Sequence, residues 1–350
     1  MGKVMNTKIV NCEELNNEII IEAGQIIKDG GLVAFPTETV YGLGGDALNP
    51  ESSKKIYAAK GRPSDNPLIV HIAKLEDIEK IVTDFNDTAK KLAQVFWPGP
   101  LTMILDKADT VPVETTGGLS TVAVRFPSHK IARDFIEAAG GYVAAPSANI
   151  SGRPSPTLAK YVCEDMNGRI EMILDGGDIE CGLESTIVDT TSNPPMILRP
   201  GFITREMLET VVGEVSVDPT IMDGNSKERP KAPGMRYRHY APKANMTIVE
   251  GEGCVTKINE LVETNYSANT KICIIATDEN VDKYTDKAII KSAGSKDNDA
   301  QIASSIYRIL RECDDEDIDL IYSEGFEGDG IRAAIMNRLL KAAGHNVLST

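Results

Sequence analysis

The sequence predicts an α/β protein built from two domains. Its 350 residues exceed the usual span of one hydrophobic core. Short apolar runs alternate with amphipathic stretches over roughly the first 200 residues, and the same alternation returns over roughly the last 105. Between them, from residue 217 to 242, this periodicity lapses into a stretch rich in Asp, Pro, Gly and Lys. We therefore expect a first domain at 15–210, a linker at 211–244 and a smaller domain at 245–350.

The spacing of apolar residues predicts the individual elements. A period of two marks a strand, and a period of about 3.6 marks a helix. Because strands and helices alternate in the second domain, we expect a small parallel sheet with Rossmann-like layering there. The predicted strands are 31–35, 68–72, 101–105, 121–126, 142–145, 171–174, 185–189, 196–199, 245–249, 271–276, 287–291 and 319–322. The predicted helices are 16–28, 52–60, 87–95, 131–139, 158–166, 205–212, 254–265, 299–313 and 331–343.

The charge of the chain argues against a long polynucleotide as its direct ligand. The formal net charge is −15, whereas nucleic-acid-binding modules are usually basic. Nine carboxylates and no Lys or Arg lie from Glu312 to Asp329. In contrast, six basic residues and one acidic residue lie from Lys227 to Lys243, mostly within the linker. This distribution favours a small anionic ligand.

The sequence indicates neither a metal cluster nor a membrane segment. The six cysteines and four histidines are scattered, without a C-x-x-C motif or a nearby histidine pair. We therefore expect reduced thiols and no metal ligands from side chains. Apolar runs stay well short of the ~20 residues that cross a bilayer, and the amino-terminal stretch lacks a secretory segment. The expected location is the cytoplasm, without a membrane partner.

Two segments combine possible chemistry with ordinary turn residues, and each allows two interpretations. Residues 35–44 read Phe-Pro-Thr-Glu-Thr-Val-Tyr-Gly-Leu-Gly, where the glycines either serve a strand-to-loop turn or let the backbone approach a ligand. Lys60 precedes Gly61, so it either caps a helix or binds a polyphosphate together with Arg62. The motifs G-x-x-x-x-G-K-[ST] and G-x-G-x-x-G are missing, so a nucleotide would have to bind by another route.

Strand alternation places polar side chains beside small ones. Thr121, Ala123 and Arg125 share one face of their strand, and a charged arginine on such a face indicates a polar cavity. His71 shares a face with Ile69, where a structural histidine is an equally good interpretation. Serine, asparagine and arginine residues follow strand ends at 144–155, 182–189 and 198–201. Strand ends are where open α/β sheets build their sites.

Several of these segments, in this order, resemble the YrdC-like threonylcarbamoyl-AMP synthases. The resemblance covers nearly the whole chain and implies a YrdC-like twisted open α/β sheet around a concave, positively charged cavity. The segments APGMRYRHYAPK and GIRAAIMNR are similar to the longer form of the family, which implies a linker that closes over the cavity and a smaller Rossmann-like domain. The other matching motifs are PTETVYGLG, KGRPxxNPLIVH, WPGPLT, TVAVRFP, APSANxSGRPSPT, LESTI and LRPG.

The resemblance implies a nucleotidyltransferase that joins L-threonine, bicarbonate and ATP into threonylcarbamoyl-AMP and releases pyrophosphate. Its product would serve the threonylcarbamoyl modification of the tRNA adenosine next to the anticodon, through a separate tRNA threonylcarbamoyl transferase. Mg²⁺ would enter with ATP, and tRNA would be only an indirect partner. The residues implied to be catalytic are Lys60 and Arg62. Those implied to hold threonine are Thr37, His71, Arg125 and Ser185, and those implied to hold ATP are Lys60, Arg62, Asn66, Thr121, Ser147, Asn149, Ser155, Arg199 and Tyr237.

Two other functions stay open at the level of sequence. An RNA-binding module without catalysis could use a positively charged cavity, although the net charge and the aromatic content of 5% disfavour it. A carbamoyl-handling domain like that of hydrogenase maturation factors is the other alternative. We expect such a protein to carry acylphosphatase and zinc-finger regions, which this sequence lacks.

Overall fold

The computed structural model describes residues 6–12, 17–221, 232–233 and 240–350, which form two compact units. Both units combine strands and helices, so the predicted α/β class is confirmed. No helix among these residues is both long and apolar enough to cross a membrane. The first unit contains the described residues of Met1–Ser151, Ser155–Glu180 and Glu184–Arg236, and the second contains those of Gly152–Pro154, Cys181–Leu183 and Tyr237–Thr350.

The first unit is organised around one eleven-stranded mixed sheet. Its strands are β1 (Lys8–Asn11), β2 (Val33–Phe35), β3 (Gly42–Asp46), β4 (Ile69–Ile72), β5 (Leu101–Asp106), β6 (Thr121–Arg125), β7 (Tyr142–Ala145), β8 (Met172–Asp175), β9 (Thr186–Asp189), β10 (Met196–Arg199) and β11 (Ser216–Val217). Their order in the sheet is β1-β8-β2-β3-β7-β4-β6-β5-β9-β10-β11. Strand β4 lies between β7, with which it is antiparallel, and β6, with which it is parallel.

Helices cover the sheet of the first unit. They are α1 (Asn17–Lys28), α2 (Pro50–Lys60), α3 (Asp87–Phe96), α4 (Lys130–Ala138), α5 (Ala159–Met166) and α6 (Arg205–Val212). Helices α1 and α4 share an apolar cluster with Val33 and Phe35 of β2. Ala34, which points to the other side of the same strand, belongs to the cluster packed by α2, α3 and α5. The period of two along β2 therefore supplies two separate cores.

Helix α2 ends next to the predicted polyphosphate loop. Asn49 caps its first turn by accepting a hydrogen bond from the Glu51 N–H at 3.0 Å. Gly61 ends the helix with φ of 63°, a left-handed conformation that glycine adopts without strain. The backbone of Gly61, and not the Lys60 side chain, thus closes the helix, and Lys60 is available for contacts elsewhere.

Residues 35–44 were interpreted as a strand followed by a loop, and strand β3, which begins at Gly42, corrects that interpretation. The residues of β3 pair antiparallel with β2 on one side and β7 on the other. The run Gly42-Leu-Gly-Gly has low strand propensity, which is why the sequence pattern did not indicate a strand. A Cβ on Gly44 would lie 2.8 Å from Val143 Cγ1, so glycine is needed there for the close packing of β3 on β7. The short strands β1 and β11 were also not predicted.

The second unit has the predicted small parallel sheet. Its strands are β12 (Asn245–Glu250), β13 (Ile272–Thr277), β14 (Ile289–Gly294), β15 (Leu320–Glu324) and β16 (Val347–Ser349), in the order β14-β13-β15-β12-β16. Every pairing in this sheet is parallel. The helices are α7 (Cys254–Asn265), α8 (Asp299–Asp315) and α9 (Ile331–Ala342). The predicted ends of the other strands and of the helices in this unit were correct to within a few residues, and strand β16 was not predicted.

A buried carboxylate ties the strand ends of this second sheet together. Glu324 Oε1 accepts hydrogen bonds from Tyr284 Oη at 2.7 Å and from Asn280 Nδ2 at 3.1 Å. Its Oε2 accepts from the Thr277 hydroxyl at 2.9 Å and from the Thr277 N–H at 3.2 Å. Four donors therefore satisfy one carboxylate, which makes Glu324 a structural residue of the sheet.

Tyr284→Phe tests this assignment. Removing a hydrogen bond to a buried charged group destabilises by ~1.5–3 kcal/mol, so we expect the five-stranded sheet to open more readily by about that amount. Native-state hydrogen exchange of the β13 amides measures the opening free energy. Tyr266→Phe is the matched control, because Tyr266 is exposed and its loss should change stability by less than ~0.5 kcal/mol. Equal protection in both variants would show that Tyr284 does not stabilise the sheet.

Candidate active site

Three polar side chains form a row across the middle of the large sheet. In the strand pairing, His71 of β4 lies opposite Arg125 of β6, and Arg125 lies opposite Thr102 of β5. All three are buried. Residues opposite one another in neighbouring strands point to the same face, so these side chains stand side by side. We call them the polar row.

Arg125 is held by the segment between β2 and β3. Its NH2 lies 2.9 Å from Glu38 Oε1, and its NH1 donates to Thr39 Oγ1 at 2.8 Å. Burial alone would raise the pKa of Glu38, but the charge and hydrogen bond of Arg125, together with backbone hydrogen bonds at Glu38 and Ser128, hold that pKa below its ordinary value. The pair is therefore ionised and nearly neutral overall, which is how a cation can be kept inside the fold.

The predicted threonine ligand Thr37 joins the row indirectly. Thr39 accepts from Arg125, and Thr37 donates to the Val40 carbonyl at 2.6 Å. In the 3.0 Å contact between the two hydroxyls, Thr39 must then be the donor and Thr37 Oγ1 the acceptor. Both hydroxyl protons are thus used within this segment. In this arrangement Thr37 positions Thr39 and Arg125, and a hydrogen bond to a ligand would require the chain of bonds to rearrange.

His71 is a neutral hydrogen-bonding residue. Its Nδ1 lies 3.1 Å from the Ile69 carbonyl oxygen, which can only accept, so Nδ1 carries the proton and Nε2 carries the lone pair. Burial, followed by the charge of Arg125, lowers the pKa of His71 to about 3. At neutral pH the ring therefore offers an acceptor beside a cation.

Ser185 and Arg199 extend the polar row on the β5 side. The Ser185 hydroxyl lies 2.7 Å from the Thr102 hydroxyl. Arg199 at the end of β10 donates from Nε to the Ser185 carbonyl at 3.0 Å and from NH2 to the Ser185 hydroxyl at 3.2 Å. One connected network therefore contains Arg199, predicted to hold ATP, and Ser185, predicted to hold threonine.

Lys60 binds the loop that follows β7. Its Nζ donates to the carbonyl oxygens of Ser147 and Asn149, the latter at 2.6 Å, and lies 3.4 Å from Asn149 Oδ1. The Ser147 hydroxyl donates to the same Asn149 Oδ1 at 2.5 Å. The structure thus brings together three of the residues predicted to hold ATP. Lys60 serves there as the tether of the loop.

Arg62 and Asn66 lie in the loop between α2 and β4. Arg62 NH2 donates to the carbonyl oxygens of Asn66 at 3.3 Å and Pro67 at 3.0 Å. The Asn66 side chain is buried, yet neither its Nδ2 nor its Oδ1 has a hydrogen-bond partner within the described residues. An unsatisfied buried amide is unfavourable, so this site calls for a polar ligand or water at Asn66.

The strand register places part of the predicted ATP set and part of the predicted threonine set at different positions along the sheet. Ile69 pairs with Ala123 and with Ala145, so the chain just before Ile69, the start of β6 and the loop after β7 lie at the same end. That end carries Asn66, Thr121 and Ser147. Arg125 lies four residues beyond Thr121, or ~13 Å at the usual strand rise. The sites predicted for nucleotide and for threonine are thus neighbouring parts of one face.

The remaining predicted residues are less closely connected to this face. Ser155 is buried and donates to Glu184 Oε1 at 2.6 Å, next to Ser185 in the chain. Arg153, the arginine of the segment 144–155 that follows a strand end, lies 3.5 Å from Asp314 within the second unit. Tyr237 and His239 of the linker lie outside the described residues.

Part of the linker packs on the face that carries the polar row. Ala232 is buried in a cluster with Ile69, Ala123 and Ile104, the apolar neighbours of the row on β4, β6 and β5. The adjacent Pro233 carbonyl accepts from Arg199 NH1 at 3.3 Å. These two linker residues therefore cover the same face on which the predicted ligand residues lie.

Glu38, Thr39 and Thr102 are site residues that the sequence reasoning did not single out. Glu38 and Thr39 are part of the PTETVYGLG motif, but the pattern gave no sign that their partner is Arg125 on a distant strand. Thr102 ends the WPGPLT motif between the apolar Leu101 and Met103. A polar residue within an otherwise apolar, buried strand is unusual, and this could have indicated that Thr102 belongs to the site.

The described part of the site contains cations, hydroxyls, amides, the neutral His71 ring and the Glu38 carboxylate that is paired with Arg125. It contains no group of three His, Cys, Asp or Glu side chains placed to hold a metal ion. Such a site can bind and orient anions and offset their charge, and it suits reactions between bound substrates.

The family models match both units of the chain. Residues 25–201 match the family described as telomere recombination, which groups Sua5, YciO and YrdC. Residues 203–344 match the C-terminal domain of threonylcarbamoyl-AMP synthase.

Individual relatives match over nearly the full length. The chain is 46% identical to the threonylcarbamoyl-AMP synthase of Pyrococcus abyssi, covering 98% of this chain and 99% of the relative. It is 44% identical to the Bacillus subtilis synthase, covering 95% of each. The crystal structure of P. abyssi Sua5 complexed with L-threonine has a TM-score of 0.92 at 44% identity, covering 98% of this chain and 100% of that one. The chain belongs to the threonylcarbamoyl-AMP synthase family, in its two-domain form.

Proposed function

We propose that this chain is an L-threonylcarbamoyladenylate synthase, which forms threonylcarbamoyl-AMP and pyrophosphate from L-threonine, bicarbonate and ATP. One observation carries the proposal. A protein 44% identical over 98% of this chain was crystallised with L-threonine, and this chain has a buried row of His71, Arg125 and Thr102 suited to an amino acid. The family membership favours this enzyme over the RNA-binding alternative.

The polar row has complementary groups for threonine. Arg125 offers a fixed positive charge for the carboxylate, with its geometry set by Glu38 and Thr39. The neutral His71 offers a lone pair at Nε2 to the hydroxyl or the ammonium group of the substrate. Bound in this way, threonine lies next to the nucleotide end of the same face.

The chemistry requires positioning more than covalent help. The ammonium group of threonine first loses a proton to solvent. The free amine then attacks the carbon of bicarbonate with loss of water, or the carbon of CO₂ with loss of a proton, and the N-carboxylate is made. A carboxylate oxygen then forms a bond to the α-phosphorus of ATP, and the bond to the β-phosphate oxygen breaks. Pyrophosphate departs with the bonding electrons. In this proposal Lys60, Arg62 and Arg199 offset the negative charge, and Lys60 also keeps the Ser147–Asn149 loop in place.

Mg²⁺ is proposed to enter as part of the nucleotide complex. The oxygen donors near the nucleotide end are amide, hydroxyl and carbonyl groups such as Asn66 Oδ1, which bears no hydrogen bond within the described residues. Mg²⁺ usually keeps several waters and takes its other ligands from substrate phosphates with few protein oxygens. The donor set therefore fits a metal held mainly by phosphate, which would supply additional charge neutralisation.

The product is a reactive mixed anhydride, and its use requires a second enzyme. We propose that a separate tRNA threonylcarbamoyl transferase moves the threonylcarbamoyl group to the tRNA adenosine next to the anticodon. This reaction sequence belongs to the cytoplasm, where tRNA, ATP and threonine are available together. The cover formed by Ala232 and Pro233 supports the proposal that the linker excludes water from the anhydride.

An omission assay tests the proposed function. Full-length protein is incubated with radiolabelled ATP and Mg²⁺, and pyrophosphate and the AMP-containing product are measured. We expect both products when threonine and bicarbonate are present together, and neither when one is left out. Pyrophosphate release that is indifferent to threonine would contradict the proposal.

Lys60→Ala and Arg62→Ala should each lower kcat/KM by about 10-fold to 100-fold or more. A charge-assisted hydrogen bond contributes ~1.5–3 kcal/mol, and Lys60 also holds the Ser147–Asn149 loop. Initial rates of pyrophosphate release measure the effect. Lys54→Ala, on the exposed side of the same helix, is the control and should remain within about twofold. The catalytic assignment fails if Lys60→Ala behaves like Lys54→Ala.

The low pKa of His71 predicts a specific dependence of stability on pH. The pKa of His71 is about 6.5 in the unfolded chain and about 3 in the folded protein. At a pH between these two values, His71 is protonated in the unfolded chain and neutral in the folded protein. Stability therefore falls as the pH is lowered through this window, by at most ~1.4 kcal/mol per pH unit. His71→Asn removes this contribution, so the difference between wild type and variant should shrink from pH 7 to pH 5.

Trp97 provides the readout for this experiment, because it is the single tryptophan and lies buried in the first unit. Denaturant unfolding is followed by its fluorescence at each pH. His345→Asn is the control, since His345 is exposed in the second unit. Parallel pH profiles for wild type and His71→Asn would mean that His71 titrates normally.

A further inference from the structure

Two short stretches of the chain belong to the second unit although the chain on either side of them belongs to the first. These stretches are Gly152–Pro154 and Cys181–Leu183. The residues that directly follow them, Ser155 and Glu184, are joined by a hydrogen bond, in which the Ser155 hydroxyl donates to Glu184 Oε1 at 2.6 Å. Both residues are buried. Each partner of this buried hydrogen bond is thus attached by one peptide bond to a stretch held within the second unit.

Helix α8 holds the first stretch through Arg311. The Arg311 side chain is 0% exposed, and its Nε donates to the Pro154 carbonyl oxygen at 3.0 Å. A buried guanidinium is strongly unfavourable unless its donors are bonded, so this bond favours a single position of the Pro154 carbonyl. The preceding Arg153 lies 3.5 Å from Asp314, which is on the same helix. A charged side chain inside the second unit therefore fixes the backbone next to Ser155.

The second stretch lies directly on the backbone of α8. Gly182 has a φ of 72°, and a Cβ at this position would lie 2.3 Å from Ser304 Cα. Glycine is therefore needed for this close approach. Ser304 and Arg311 are seven residues apart, which is about two helical turns, so they lie on the same face of α8. One face of the helix holds both stretches.

We propose that helix α8 positions the Ser155–Glu184 pair for ATP binding, with Arg311 as a positioning residue. This inference rests on the proposed function, in which Ser155 is one of the residues that hold ATP, and it gives the second unit a role in the reaction. Pro154 directly precedes Ser155, and Gly182 lies two residues before Glu184. A shift of either stretch on α8 is therefore passed along the chain to the pair, and a displacement of about 1 Å can lower a rate by about 100-fold.

Two variants of the full-length chain disturb the two contacts separately. Arg311→Lys keeps the charge and places a methylene where Nε stands, and Gly182→Ala adds the Cβ that meets Ser304. Arg308→Lys is the matched control, because Arg308 is on the same helix but is partly exposed and pairs within the helix. Tyr284→Phe is the control for stability, since it weakens the second unit through Glu324 and not through α8. Calorimetric binding of a non-hydrolysable ATP analogue and of L-threonine is measured together with KM for both substrates.

For Arg311→Lys we expect about tenfold weaker binding of the ATP analogue and a similar rise in KM for ATP, with threonine binding changed by less than about twofold. Gly182→Ala should weaken binding of the analogue by a similar factor. Arg308→Lys and Tyr284→Phe should each bind the analogue within about twofold of wild type.

The proposal is overturned if Arg311→Lys binds the analogue as tightly as Arg308→Lys does, or if it loses threonine binding to the same extent. It is also overturned if Tyr284→Phe weakens binding of the analogue as much, because lower stability of the second unit would then be the cause. If Arg311→Lys does not fold, wild-type affinity for the analogue in Gly182→Ala overturns it. A wild-type protein that binds no ATP analogue would contradict the proposed function itself.

Discussion

The position of Arg125 is the constraint on which the site depends. A guanidinium inside a sheet is strongly unfavourable unless charge and hydrogen bonds compensate it, and Glu38 and Thr39 provide both. These residues belong to the segment between β2 and β3, so the pairing of β2 with β3 and of β3 with β7 has to bring that segment to the end of β6. The glycines of β3 make this close pairing possible. The motif PTETVYGLG thus contains both the counter-charge, Glu38, and the glycines that allow the strand pairing by which Glu38 reaches Arg125.

The strand register then distributes the chemistry. On the proposed assignment, side chains at the ends of β4 and β6 form the amino-acid part of the face, and the loops before β4 and after β7 form the nucleotide part. Lys60 serves this arrangement from within, because its ammonium group holds the backbone of the Ser147–Asn149 loop. A lysine that organises a binding loop can be as necessary as one that contacts a phosphate. To contact a phosphate, Lys60 would have to give up its hydrogen bonds to the loop carbonyls, whereas as a loop-holding residue it keeps them when the nucleotide binds.

Much of this arrangement could be predicted from sequence, because periodicity reports which face a side chain occupies. Alternation placed Arg125 with Thr121 and Ala123, and the α/β class and most elements followed from the same patterns. Periodicity does not report partners, so the bond between Glu38 and Arg125 could not be foreseen. The Gly-rich strand β3 was missed because its strand character comes from tertiary packing and not from propensity. Thr102 was missed because Ser185 meets it only through the pairing of β5 with β9.

The central claim is that the row formed by His71, Arg125 and Thr102, with Ser185 beside it, is the amino-acid site. A crystal structure of the full-length chain with L-threonine and a non-hydrolysable ATP analogue tests it most directly. The account predicts the threonine carboxylate within about 3 Å of Arg125, with the triphosphate beside Asn66 and the Ser147–Asn149 loop. Threonine bound away from Arg125, or a nucleotide occupying the polar row itself, would contradict it.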